Sequence, residues 1–142
     1  MYSRVIVGTD GSETATAAVE RAAAIARLSG GELVALHAYR TTPAFGDTGG
    51  ASIATVDPGV LEDEGGRVLA RLEERMGADV RFRTTLRRGD PARCLLDAAR
   101  EEGADLIVIG SRGMKGARRV LGSVPNSVAH GAECDVLIVH TT

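Results

Sequence analysis

Hydrophobic and polar positions fall into alternating blocks along this chain, with two different periods. Val5-Ile6-Val7 is a short continuous apolar run ended by Gly8. Such a run predicts a strand buried on both faces. Thr9-Asp10-Gly11-Ser12 is a turn, and residues 12–28 then place Ala15, Ala18, Val19, Ala22, Ile25 and Ala26 at helical spacing. Alanine favours helix and permits close packing on a sheet. Gly30 and Gly31 end that helix. Glu32 to Tyr39 predicts a second strand, centred on Leu33, Val34, Ala35 and Leu36. Asp57-Pro58 is a helix start, with Asp as N-cap and Pro at the first helical position. Leu61, Val68, Leu72 and Met76 repeat at helical spacing, and Gly77 stops the run. Val80, Phe82 and Thr84 alternate with Arg81, Arg83 and Thr85. That period of two predicts a strand with one face exposed, as at a sheet edge. Asp90-Pro91 repeats the helix start, with Leu95, Leu96 and Ala99 on the apolar face and Gly103 as the stop. Leu106 to Ile109 is a fourth strand and Val136 to Val139 a fifth, with a short helix opened by Ser123 between them.

The sum is five strands and four helices in strict alternation, within one domain spanning residues 1–142. Alternation with short connections predicts an α/β fold, a parallel sheet with helices on both faces. Ligands of such sheets bind at the carboxyl ends of the strands, where the strand order reverses. Residues 40–56 have no period and read as a long loop, either a lid or binding loop or a disordered spacer.

Composition narrows the class. Aromatics make up only 3% of residues and Trp is absent, so the core must be built from Val, Ile, Leu and Ala. The formal net charge of −2 argues against nonspecific nucleic-acid binding, which needs a broad basic surface. No apolar run approaches the roughly 18 residues of a membrane span, and no signal peptide is visible between Arg4 and Asp10. Cys94 and Cys134 are not in metal or redox spacing and read as small core residues. A cytoplasmic location is expected.

The unusual chemistry lies between Asp105 and His140. The fourth strand stops at Gly110, and a loop with Gly110, Gly113, Gly116 and Gly122 leads to Ser123. Ser123 is expected as the N-cap, with Pro125 at about the second helical position. A strand, a glycine-rich turn and a helix N-terminus form an anion cradle, because backbone N–H groups there lack helical partners. Lys115, Arg118 and Arg119 add positive charge. The same loop also fits a solvated basic surface turn. Asp10, in the first turn, has two readings: a carboxylate for a ribose, or a helix N-cap with Glu13 three residues on. His37, His130 and His140 form no triad or metal pattern and read as packed or surface residues.

The end motif resembles the signature of the universal stress protein family, in its ATP-binding branch: G-x-x-G, a spacer of nine residues, then G-[ST]. Here Gly110-Ser111-Arg112-Gly113 is followed by eight residues and then Gly122-Ser123. The opening V-I-V-G-T-D-G-S and the spacing of elements extend the resemblance over nearly the whole chain. It implies an open five-stranded parallel sheet of order 3-2-1-4-5, Rossmann-like and similar to the adenine nucleotide alpha hydrolases. It also implies a nucleotide site made by Gly8, Thr9, Asp10, Ala38, Ile109, Gly110, Arg112, Gly113, Gly122, Ser123 and Val124. Ala38 would meet the base edge beside Ile109, Gly110 and Asp10 the ribose, and Arg112, Gly113, Gly122, Ser123 and the Val124 N–H the phosphates. ATP is the implied ligand. The loop offers no carboxylate for a metal, so Mg2+ would arrive with the nucleotide. The shortened spacer keeps AMP and cyclic AMP as alternatives. The resemblance further implies a homodimer through the C-terminal strand Val136–His140, whose apolar edge otherwise stays open.

The expected function is therefore an adenine-nucleotide-binding stress-response regulator with no nucleic-acid or membrane partner. No strong general base sits in the glycine loop, so ATP turnover is expected to be slow or absent. A slow ATPase and a nucleotide-free interaction module are the competing expectations. A phospho-acceptor receiver domain shares the α/β alternation but lacks its acids and its lysine, since Asp90 is the cap before Pro91 and strand five ends in His140-Thr141-Thr142.

Overall fold

The computed structural model describes residues 1–40, 57–111 and 122–140. The element order is β1 (Arg4–Gly8), α1 (Glu13–Ser29), β2 (Glu32–Tyr39), α2 (Pro58–Arg75), β3 (Arg81–Arg88), α3 (Pro91–Glu102), β4 (Leu106–Gly110), α4 (Ser123–Gly131) and β5 (Asp135–Val139). The expected loop at 40–56 falls, beyond Arg40, outside the described residues.

All strand pairs are parallel, and the order is β3-β2-β1-β4-β5. This is the order 3-2-1-4-5. The continuous apolar strands follow from burial on both faces. Val5 and Val7 of β1 point into one core with Ala18, Val19 and Ala22 of α1 and Leu69 and Leu72 of α2. Ile6, between them, points into the other core with Leu95 and Ala98 of α3 and Val128 of α4. Side chains alternate across a strand, so a strand covered on both sides cannot alternate in polarity.

β3 is an edge strand, as its alternating pattern predicts, and pairs with β2 along its whole length, from Arg81 beside Glu32 to Arg88 beside Tyr39. Leu86 continues the apolar phase and packs with Phe82 against the same core. Asp57 and Asp90 cap α2 and α3, accepting from the amides of Gly59 (2.9 Å) and Arg93 (3.0 Å). α2 closes at Met76, just before Gly77.

Two expectations about caps are corrected. The N-cap of α4 is Gly122, and Ser123 is the first helical residue. The Asn126 amide donates to the Gly122 carbonyl at 3.1 Å, which fixes that frame. Pro125 is then the third helical residue, still among the positions whose N–H would have no helical acceptor. At the other turn, Ser12 and not Asp10 caps α1, accepting from the Ala15 amide at 3.1 Å. β5 ends at Val139, so His140 lies just beyond the strand.

Candidate functional site

Strand order brings two turns together, the one after β1 and the one after β4. Val5, Ile6 and Val7 pair with Leu106, Ile107 and Val108, which sets Gly8 level with Ile109. A Cβ placed on Gly8 would lie 3.6 Å from the Ile109 side chain. On the other side of β1, Gly8 pairs with Leu36, and the Thr9 amide donates to the Leu36 carbonyl at 2.9 Å. Ala38 follows two residues along β2. Gly8, Thr9, Asp10, Ala38, Ile109 and Gly110 therefore lie at or near the carboxyl ends of β2, β1 and β4, where the strand order reverses and such sheets open a crevice for ligands.

The first turn is tightly built. Thr9, only 8% exposed, turns its hydroxyl to accept from the Gly11 amide at 3.1 Å. Asp10 Oδ1 accepts from the Ser12 amide at 2.9 Å. These two bonds fold the backbone back on itself, an Asx-type turn that aspartate makes readily. Gly11 has φ +83°, a conformation that L side chains rarely adopt, and it lies against Val68 of α2. The aspartate that sequence alone leaves between cap and ligand is thus part of a turn. One of its oxygens is held by backbone while the helix is capped by a neighbour.

The second turn returns to the strand it left. The Ser111 amide donates to the Val139 carbonyl at 2.8 Å, and the Gly122 amide donates to the Ser111 carbonyl at 3.1 Å. The N-terminus of α4 is so delivered to the end of β4. The amides of Gly122, Ser123, Val124 and the position of Pro125 belong to the first turn of a helix, where donors have no intrahelical acceptor and the helix dipole is positive. Pro125 is buried and Val124 half-buried, so this end of the helix is anchored by packing. Arg112 and Gly113 lie outside the described residues, as do Lys115, Gly116, Arg118 and Arg119.

Chemically these strand ends offer a carboxylate at Asp10 and a helix N-terminus at α4. That set suits a ligand with hydroxyls at one end and an anionic group at the other. Among the described residues no group of three or more His, Cys, Asp or Glu side chains is placed to hold a metal ion. Burial pushes the thiols of Cys94 and Cys134 above their ordinary range, and both pack against the α3–α4 core. Both fill space in that packing as small apolar residues.

One residue at the crevice escapes sequence reasoning. His37 is half-buried and its Nδ1 donates to the Thr9 carbonyl at 2.8 Å. It packs as expected of it, yet it also touches the turn that carries Asp10. On the α2 side, the ring lies against Gly65, one of two adjacent glycines inside that helix. A Cβ on Gly65 would fall 2.8 Å from His37 Cδ2 and 2.6 Å from Leu86 Cδ1.

Elsewhere, a cleft of about 210 Å³ opens at the other end of the sheet, lined by Leu96, Arg100, Ile107, Glu133 and Cys134 among others. It shares no residue with the crevice. No helix among the described residues is long and apolar enough to cross a membrane.

Comparison with known proteins places this geometry. The family model described as Universal stress protein family matches residues 1–140. A universal stress protein of Mycobacterium tuberculosis is 37% identical over 155 aligned residues, covering 99% of this chain and 98% of the relative. One of Bacillus subtilis is 32% identical, covering 98% of this chain and 99% of the relative. Among solved structures, a universal stress protein in complex with cAMP is 35% identical, with a TM-score of 0.73 over 99% of this chain and 98% of the other. A Lactobacillus plantarum universal stress protein is 26% identical, with a TM-score of 0.75 over 97% of each chain.

Proposed function

The chain belongs to the universal stress protein family, and from that we propose that it is an adenine-nucleotide-binding stress-response regulator that acts in the cytoplasm as a homodimer with little or no turnover. The observation that carries the proposal is the convergence of two turns. Asp10, after β1, and the N-terminus of α4, returned to β4 by the Gly122–Ser111 bond, face one crevice at the point where strand order reverses. The Asp10 carboxylate accepts from ribose hydroxyls through the oxygen not held by Ser12. The phosphates sit at the amides of Ser123 and Val124, close against Gly122, whose own amide is held by Ser111, with Arg112 and Gly113 contributing from the loop. The base lies between Ala38 and Ile109. ATP, with Mg2+ carried in on its phosphates, is the first candidate.

A second ligand reading is favoured by a specific feature. The spacer between Gly113 and Gly122 is one residue shorter than the signature of the ATP-binding branch, and a relative has been solved with cAMP. A shorter loop suits a single phosphate, as in AMP or cyclic AMP. For the dimer, support comes from the β5 edge, which ends the sheet beside an 89%-exposed Leu28 and a groove lined by Ile25, Leu106, Val136 and Leu137.

Calorimetric titration of nucleotide-stripped protein with ATP, AMP and cyclic AMP, with and without Mg2+, tests the proposal. Micromolar binding of one of them, lost in Gly113→Ala, is expected. Binding of none sinks the nucleotide reading and leaves an interaction module. Phosphate release well above background would replace the regulator with a hydrolase.

A further inference from the structure

The ladder between β1 and β2 ends at Thr9, whose amide makes the last rung, to the Leu36 carbonyl. The Thr9 carbonyl is the next polar group, and it belongs to the peptide unit that carries Asp10. It is taken by a side chain, His37 Nδ1 at 2.8 Å. A carbonyl can only accept, so the ring must hold its proton on Nδ1. The ring is also confined from the side of α2. Gly65 comes so close that a Cβ there would lie 2.8 Å from Cδ2 and 3.4 Å from Nε2. One turn along the same helix, Val68 supports Gly11 on the far side of Asp10. Both flanks of the aspartate are therefore braced, one by a hydrogen bond and the other by packing, and both braces lead to α2.

We propose that His37 is a positioning residue for the nucleotide site. Its Nδ1–H bond to the Thr9 carbonyl, held by the close approach of Gly65, fixes the peptide plane from which Asp10 reaches the ligand. The inference rests on the nucleotide reading for its consequence, but its geometry can be tested without a ligand. With the anchor removed, the turn must be ordered at the expense of binding. The loss of one such bond corresponds to an affinity about three- to tenfold weaker.

Two variants of position 37 separate positioning from mere filling of space. Asparagine places its Nδ2 donor where the ring nitrogen sits but fills less volume. Leucine fills the volume but cannot donate. Positioning predicts that His37→Asn keeps nucleotide affinity and slow hydrogen exchange at the Gly11 and Ser12 amides, while His37→Leu loses both and leaves exchange at Leu33–Leu36 unchanged. The reverse ranking, Leu retained and Asn impaired, overturns the proposal and makes the ring a packing element. Should His37→Leu fail to fold, the wild-type ring decides: 15N shifts showing a protonated Nδ1 and a bare Nε2 in the neutral form support the proposal, and the opposite tautomer refutes it. If no variant and not even the wild type binds nucleotide, the nucleotide reading fails, while exchange at Gly11 and Ser12 still decides the role of His37.

Discussion

The Gly122 amide donates to the Ser111 carbonyl at 3.1 Å, so the chain that leaves β4 comes back to within one residue of its end. This closure brings the helix N-terminus back to the carboxyl end of β4, the neighbour of the strand that Asp10 follows. A Cβ on Gly122 would touch the Ser111 carbonyl and Pro125 Cδ at 3.4 Å, at the edge of ordinary contact. Gly122→Ala should therefore fold, losing on the order of 0.5–1 kcal/mol as a poorer cap. The added methyl sits at the helix mouth, and ATP affinity should fall about tenfold while adenosine affinity holds. Parallel titrations of the two ligands check this.

Asp10 holds the Ser12 amide at 2.9 Å. Asp10→Ala removes that bond and should cost about 1 kcal/mol in urea unfolding. Its effect on nucleotide affinity should be larger than that, because the ribose loses its acceptor as well. Asp10→Asn keeps an oxygen for Ser12 and should restore stability but not full affinity.

The two adjacent glycines of α2 should respond in opposite ways to alanine. Around Gly66 nothing lies within 4 Å of an added Cβ, so Gly66→Ala should stabilise by about 0.5–1 kcal/mol through helix propensity. At Gly65 the same change meets His37 and Leu86 at 2.8 and 2.6 Å and should destabilise by about 1–3 kcal/mol. Paired thermal melts decide it.

A charged network ties the N-terminal ends of β1, β2 and β3 to the end of α3. Arg83 donates to Glu32 and to Glu102, each at 2.6 Å, and Arg4 donates to Glu32 at 3.2 Å. Hydrogen bonds from Arg83 hold both carboxyl groups below the usual glutamate range. A depressed carboxylate pKa contributes stability that is complete above the unfolded value, about 4.3, and is lost as pH falls through the lower folded value. Stability should thus decline below about pH 4, and Arg83→Met should flatten that decline. The Arg83 side chain is 44% exposed, so the effect is screened, amounts to about 1 kcal/mol or less, and shrinks in high salt. Urea midpoints against pH, at two salt concentrations, test it.

Much of this architecture is legible in the sequence because its signals are local. Asp57-Pro58 and Asp90-Pro91 carry the cap and the first helical residue together. Val5-Ile6-Val7 can be continuously apolar only in a strand covered twice. The errors concern competition between neighbours. Asp10 and Ser12 are both good caps, and the turn decides between them because Gly11 takes φ +83° and lets Asp10 bond the Ser12 amide instead. Ser123 looks like a cap from its type, but the Gly122–Ser111 bond sets the helix one residue earlier. The His37–Thr9 bond was not legible at all. It joins residues 28 apart, and neither residue's type announces the other.

On the proposed reading, the ends of β1, β2 and β4 take an adenine nucleotide. Amide chemical-shift mapping on 15N-labelled protein, titrated in turn with ATP, AMP and cyclic AMP, tests it most directly. Saturable shifts concentrated at Thr9–Ser12, Ala38, Gly110–Ser111 and Gly122–Val124 are predicted for at least one of the three. Shifts centred instead on the cleft around Leu96, Ile107 and Cys134, or no saturable shift with any of them, would contradict it.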